Sequence, residues 1–105
     1  MKTSERPATA FPNGQIVCPL GQGTWKMGQS AARRQEEIRA LRHGIELGMN
    51  LVDTAEMYDN EELVGEAVRP YRERVFLVSK VLPDNASYRC TKLACERSLQ
   101  RLGTE

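Results

Sequence analysis

Three features of the sequence predict an α/β fold built on a parallel sheet. Short apolar runs alternate with amphipathic helical stretches in the order strand, helix, strand, helix, strand, helix. The clearest strand, Val75-Phe76-Leu77-Val78-Ser79-Lys80-Val81, is β-branched and aromatic almost throughout, the pattern of a strand covered on both faces. Each helical stretch stops at a residue that cannot continue it cheaply: Gly48, Pro70 and Gly103. Periodicity alone leaves two architectures open, a doubly wound sheet and a (β/α)8 barrel.

The chain begins with a polar, proline-containing stretch. Pro12-Asn13-Gly14 between Thr9–Phe11 and Gln15–Val17 predicts a hairpin, because Asn and Gly tolerate the positive φ of a tight turn. Cys18-Pro19-Leu20-Gly21-Gln22-Gly23-Thr24-Trp25 predicts a short strand running into a glycine-rich loop. Ser30 is expected to cap a helix that buries Ile38, Leu41 and Ile45, spaced as one helical face, and ends at Leu47. Met49–Ala55 predicts a buried strand interrupted by Asp53. Asn60 is expected to cap the second helix, with Glu61 and Glu62 in its electropositive first turn and Leu63, Val64, Ala67 and Val68 on the inner face. After the Val75–Val81 strand, Ser87 is expected to cap a third helix that buries Cys95, Leu99 and Leu102.

Composition narrows the function. The chain has 105 residues, with 15 Lys and Arg against 14 Asp and Glu, a balance that does not favour nucleic acid or an anionic membrane. No apolar window approaches the ~18 residues of a membrane span, and Met1–Pro7 lacks the apolar core of a secretory signal. Three cysteines without a C-x-x-C fit a reducing, cytoplasmic setting. His43 is the single histidine, so histidine-rich metal clusters and histidine relays within the chain are excluded and no metal is expected. Asn85-Ala86-Ser87 matches a glycosylation acceptor, but a loop with a helix cap accounts for it more simply.

Four places carry chemistry. Gly21-Gln22-Gly23 begins a dinucleotide fingerprint that fails at position 26, which is Lys. The glycines turn a strand end and would let a ligand approach the backbone at Gly23, with Trp25 as a flat wall. Asp53 closes a strand expected to be buried, where a carboxylate needs a cation. Lys80 lies at the matching end of the next strand, so the two meet on one face of a parallel sheet. A structural ion pair is the commoner role for such a couple. Tyr58, five residues beyond Asp53, falls on the same face. An ammonium beside a phenol stabilises the phenolate, and such a tyrosine can protonate a carbonyl oxygen as hydride reaches carbon.

Gly48-Met49-Asn50-Leu51-Val52-Asp53-Thr54-Ala55-Glu56-Met57-Tyr58-Asp59-Asn60-Glu61-Glu62-Leu63-Val64-Gly65 closely resembles the first signature of the aldo/keto reductases, and most of all that of small bacterial members. Gly21-Gln22-Gly23-Thr24-Trp25 is similar to the family's first strand-end loop, and Val78-Ser79-Lys80 to its catalytic-lysine strand. The resemblance implies a (β/α)8 barrel closed at the bottom by the hairpin. It also implies NADPH-dependent reduction of aldehydes or ketones, with a small carbonyl compound as substrate. Tyr58 would be the general acid, Lys80 its cationic neighbour and Asp53 the holder of Lys80. Gly23, Thr24, Trp25 and Asp53 would contact the cofactor, and Trp25 and Tyr58 the substrate. Leu82 stands where many relatives carry an aromatic residue.

A barrel needs about 250 residues. The resemblance therefore implies a partial barrel, with residues 1–19 as hairpin and first strand and 20–105 as three βα units. The family's catalytic histidine and most of its phosphate-holding loops would lie beyond Glu105. The alternative is a non-catalytic derivative of the same fold, a truncated interaction or binding module. The downstream reading frame separates the two. In either case the isolated fragment is expected to be inactive and to self-associate.

Overall fold

The computed structural model describes residues 8–105; the start of the chain, read above for its lack of a signal, lies outside them. Strand β1 (Thr9–Ala10) pairs antiparallel with β2 (Ile16–Val17), Thr9 opposite Val17. The Phe11 N–H donates to Gln15 O at 2.9 Å and the Gly14 N–H to Phe11 O at 2.8 Å. Within this turn, Gly14, at φ 86°, is the residue that uses the left-handed region. Asn13 serves the turn differently, its Oδ1 accepting the Gln15 N–H at 3.0 Å.

The predicted parallel sheet is present, with β3 (Gln22–Gly23), β4 (Leu51–Asp53) and β5 (Phe76–Val78) in that order. Its register aligns Gly23 with Asp53 and Asp53 with Val78. The first parallel strand thus pairs within the glycine-rich segment rather than ahead of it. Helices α1 (Arg34–Glu46), α2 (Glu61–Val68) and α3 (Tyr88–Leu102) follow the strands in turn. Ile38, Leu41 and Ile45 of α1 meet Leu63, Val64 and Val68 of α2 over Val52 and Val75 in one core. Burial at ~25 cal/mol per Å² of apolar surface makes this cluster the main source of stability.

Two helical glycines set the spacing of these layers. A Cβ on Gly44 would sit 2.7 Å from Gln22 Nε2, whose amide donates to Leu41 O and Met49 O, each at 3.1 Å. A Cβ on Gly65 would lie 2.7 Å from the Leu102 carbonyl carbon, so α2 and α3 touch backbone to backbone there.

Ser87 caps α3 as expected, its Oγ accepting the Cys90 N–H at 3.2 Å. Ser30 does not cap α1 through its side chain. The chain first closes a 3-10 turn, the Arg33 N–H donating to Ser30 O at 3.1 Å, and α1 begins only at Arg34. Asn60 precedes α2, but its side chain points elsewhere. Helix α2 ends at Val68, and Pro70 lies in the 3-10 turn that follows.

The outer part of the expected pattern changes. Only Phe76–Val78 of the third apolar run pairs, and all three residues are half-buried because β5 is an edge of the described sheet. Cys95 is exposed and Leu99 half-buried; the buried residues of α3 are Ala94 and Leu102. Helix α3 meets α2 through Leu102, against Gly65, and through Arg101, paired with Glu61, and its 95–99 side, with Leu77 and Ser79, lines an open cavity of about 260 Å³. Among the described residues, no helix is long and apolar enough to cross a membrane.

Candidate active site

Parallel strands place their C-terminal ends on one rim, and there the expected residues meet. The Thr54 N–H donates to Val78 O at 2.8 Å and the Glu56 N–H to Lys80 O at 3.0 Å, carrying the β4–β5 pairing past the strand ends. Lys80 is two residues beyond Val78, so its side chain returns to the side of the sheet that Asp53 occupies. Lys80 Nζ donates to Asp53 Oδ1 at 2.6 Å and to Thr54 O at 2.8 Å. The same nitrogen stands 5.0 Å from the centre of the Tyr58 ring. Tyr58 closes a 3-10 turn (Glu56–Tyr58) whose next residue, Asp59, adopts φ 55°.

Asp53 was expected to be buried and is not: its side chain is 36% exposed and that of Lys80 49%. The strand is short and the rim open, so the carboxylate needs no rescue from desolvation. The pair therefore serves to hold the ammonium rather than to repair a core defect. Partial burial pulls the Lys80 pKa down. The Asp53 hydrogen bond and charge, followed by the Tyr58 phenol, pull it up, and the net result lies above the usual lysine value. Lys80 is a cation throughout the physiological range.

The glycine-rich loop offers space rather than side chains. A Cβ on Gly23 would meet nothing within 4 Å, and the Trp25 ring is 69% exposed, with Lys26 Nζ 4.9 Å from its centre. Thr24, expected to lie against the cofactor with its neighbours, has its side chain fully enclosed. Its hydroxyl is the one buried side-chain polar atom without a hydrogen-bond partner among the described residues, and its carbonyl accepts from Asn60 Nδ2 at 2.7 Å. Open backbone at Gly23, a flat aromatic face and a fixed ammonium make a rim with room for a planar group.

Three residues matter more than sequence reasoning allowed. Asn60 knits the rim together. Its Oδ1 accepts from Thr54 Oγ1 at 2.6 Å, and its Nδ2 reaches both Thr24 O and Met27 O. The Glu61 carboxylate is 1% exposed and accepts from Arg101 at 2.7 and 2.8 Å and from Ser79 Oγ at 2.7 Å, anchoring the residue beside Lys80. A signal existed: Glu61 shares a helical face with Val64, Gly65 and Val68, and a carboxylate on an apolar stripe demands a partner. Glu56 accepts the Leu82 N–H, a contact that no local pattern announces.

Parallel strand ends bring Asp53 and Lys80 together beside Tyr58 on one rim of an α/β chain, and comparison with known proteins gives its family. The profile of the aldo/keto reductase family matches residues 19–105, and the chain belongs to that family. It is 54% identical over 97 residues to methylglyoxal reductase YeaE of Escherichia coli (strain K12), covering 89% of this chain and 34% of that protein. It is 32% identical over 105 residues to glyoxal reductase of Bacillus subtilis (strain 168), covering 97% of this chain and 37% of that protein. An aldo/keto reductase from Klebsiella pneumoniae, solved in complex with NADP and acetate, superposes with a TM-score of 0.86 at 48% identity. That likeness covers 94% of this chain and 36% of the other. The chain spans about a third of the length of the curated relatives it matches.

Proposed function

We propose that this chain is the N-terminal portion of an NADPH-dependent reductase of small carbonyl compounds, acting in the cytoplasm. Residues 8–19 would hold the bottom hairpin and 20–105 the first three βα units of a (β/α)8 barrel, whose first strand is Gln22–Gly23 rather than within residues 1–19 as expected. The observation that carries the reading is the Lys80 ammonium, held at 2.6 Å by Asp53 and standing 5.0 Å from the Tyr58 ring on the C-terminal rim of a parallel sheet. The free Cys18, Cys90 and Cys95 suit a reducing compartment.

Tyr58 donates its phenolic proton to the carbonyl oxygen as that oxygen becomes an alkoxide. Lys80 remains charged, and its ammonium favours the negative charge left on the phenol. Asp53 keeps Lys80 in place with one carboxylate oxygen, and Thr54 O takes a second ammonium proton. NADPH, when bound, supplies the hydride. Gly23 and Trp25 would lie along it, Thr24 contributing its backbone rather than its enclosed hydroxyl, and Trp25 would also wall the substrate site.

The test is NADPH oxidation by the full-length protein, with methylglyoxal, the compound in the name of the Escherichia coli relative, as the first substrate. Tyr58→Phe should lose ~10²–10⁴-fold in kcat while binding NADPH normally by nicotinamide fluorescence. Lys80→Met should be nearly as damaging. Wild-type turnover in Tyr58→Phe would remove the phenol from the mechanism.

A further inference from the structure

Tyr58 and Lys80 belong to different loops, and one residue ties those loops together. Glu56 and Tyr58 are the first and last residues of the same 3-10 turn. The Glu56 N–H donates to Lys80 O at 3.0 Å. Its side chain then reaches past Lys80: Oε1 accepts the Leu82 N–H at 2.7 Å, and Oε2 accepts from Asn85 Nδ2 at 3.1 Å. Arg101 faces the same carboxylate from α3 at 3.9 Å, with Arg97 farther off. The Leu82 N–H and then the Asn85 amide hold the Glu56 carboxyl below its ordinary pKa, so it remains an acceptor at neutral pH. The turn closes on itself through the backbone, the Tyr58 N–H donating to Ala55 O at 3.1 Å and the Asp59 N–H to Glu56 O at 3.3 Å, and it exits through Asp59 in the left-handed region. Those bonds shape the turn but do not reach the Lys80 loop.

We propose that Glu56 is a positioning residue for carbonyl reduction. It straps the turn that carries Tyr58 to the strand end and loop that carry Lys80, and so fixes the separation of phenol and ammonium. The proposal rests on the roles given to Tyr58 and Lys80 above. Glu56 itself touches neither reacting group through its side chain. Its effect is geometric, and a displacement of about 1 Å at such a pair is enough to cost on the order of 10²-fold in rate.

Two variants of the full-length protein test it. Glu56→Ala removes both side-chain bonds. Glu56→Gln keeps an acceptor for the Leu82 N–H, and a turned Asn85 amide can offer its carbonyl to the new NH2 group. In Glu56→Ala, kcat per NADPH-binding site should fall about 10–100-fold while the Kd for NADPH stays within about twofold, and Glu56→Gln should recover kcat to within about threefold. Amide exchange at Leu82 should quicken by about tenfold or more in the alanine variant only. Unchanged kcat per site in Glu56→Ala, even with a lowered Tm, would reduce Glu56 to a structural residue and overturn the proposal. Equal damage in Glu56→Gln would overturn it too, because the charge rather than the strap would then matter. If the wild-type protein reduces no carbonyl compound, the proposed function fails by itself. The strap is then decided by Leu82 exchange and by the Tyr58–Lys80 distance in crystals of the two variants, and an unmoved pair in Glu56→Ala refutes it.

Discussion

Replacing Gly65 by alanine should destabilise the fold, although alanine is the better helix former. The added methyl would face the C-terminal turn of α3, 2.7 Å from the Leu102 carbonyl carbon and 2.8 Å from its Cα, against the 3.4 Å at which ordinary contact begins. These are backbone atoms in a helix end closed by Gly103, so no side chain can rotate away and the helices themselves must part. Overpacking of this kind costs ~1–3 kcal/mol, and the gain in helix propensity returns about 1 kcal/mol at most. Taking the middle of that range, the net loss should be about 1 kcal/mol, read as a lower urea midpoint of the full-length protein with an unchanged m value. Gly23→Ala is the control: its methyl meets nothing within 4 Å, and its stability should stay within about 0.5 kcal/mol of wild type. A Gly65→Ala protein as stable as wild type would refute the backbone contact between α2 and α3.

The other predictions concern charge and completeness. Asp53→Asn removes the largest influence raising the Lys80 pKa and leaves burial to lower it, so the ammonium should titrate earlier, as followed by lysine side-chain NMR. Because the folded pKa of Lys80 is raised, its stabilising contribution is complete below the unfolded value of ~10.4 and is lost as pH climbs through the folded value. Wild type should therefore lose more Tm than Asp53→Asn in that alkaline window, and parallel curves would contradict the coupling. The 105-residue chain alone should self-associate and oxidise no NADPH. It leaves β3 and β5 as sheet edges and exposes Trp25, Leu93 and Tyr88, so size-exclusion chromatography, near-UV circular dichroism and a turnover assay will expose a monomeric, active chain if there is one.

What could be read from the sequence was whatever local chemistry determines. Ser87 caps α3 because a serine three residues ahead of a free N–H needs no distant partner. Asp53, Tyr58 and Lys80 came together because strand order alone puts successive strand ends on one rim. Asn60 occupies the position expected of a cap, yet its Oδ1, the atom a cap would use, accepts from Thr54 Oγ1, and its Nδ2 is claimed by Thr24 and Met27 carbonyls more than thirty residues away in sequence. Long-range bonds of this kind leave no local trace. The Cys95 expectation failed, and that for Leu99 was met only in part, for a related reason: a period of 3.6 marks an apolar stripe but not which neighbour covers it, and α2 meets α3 at Leu102. Glu56 was invisible because its partners are backbone groups of another loop.

The end of the sheet opposite the Asp53–Lys80 rim holds a device with kinetic weight. The Asn50 amide accepts the Cys18 N–H at 2.9 Å and donates to Ile16 O at 3.0 Å and to Arg74 O at 3.1 Å, while Phe76 N–H bonds Asn50 O. The Phe11 and Phe76 rings meet beside it at 4.7 Å. One side chain thus joins segments separated by 24 to 34 residues, and every one of these bonds requires β4 to be in place first. The hairpin can form its own turn early, but its docking must wait for two long loops to close, a step whose entropy no local contact offsets. Asn50 should therefore act late in the folding reaction, and its replacement by alanine should speed unfolding far more than it slows folding, as read from the two arms of a chevron plot.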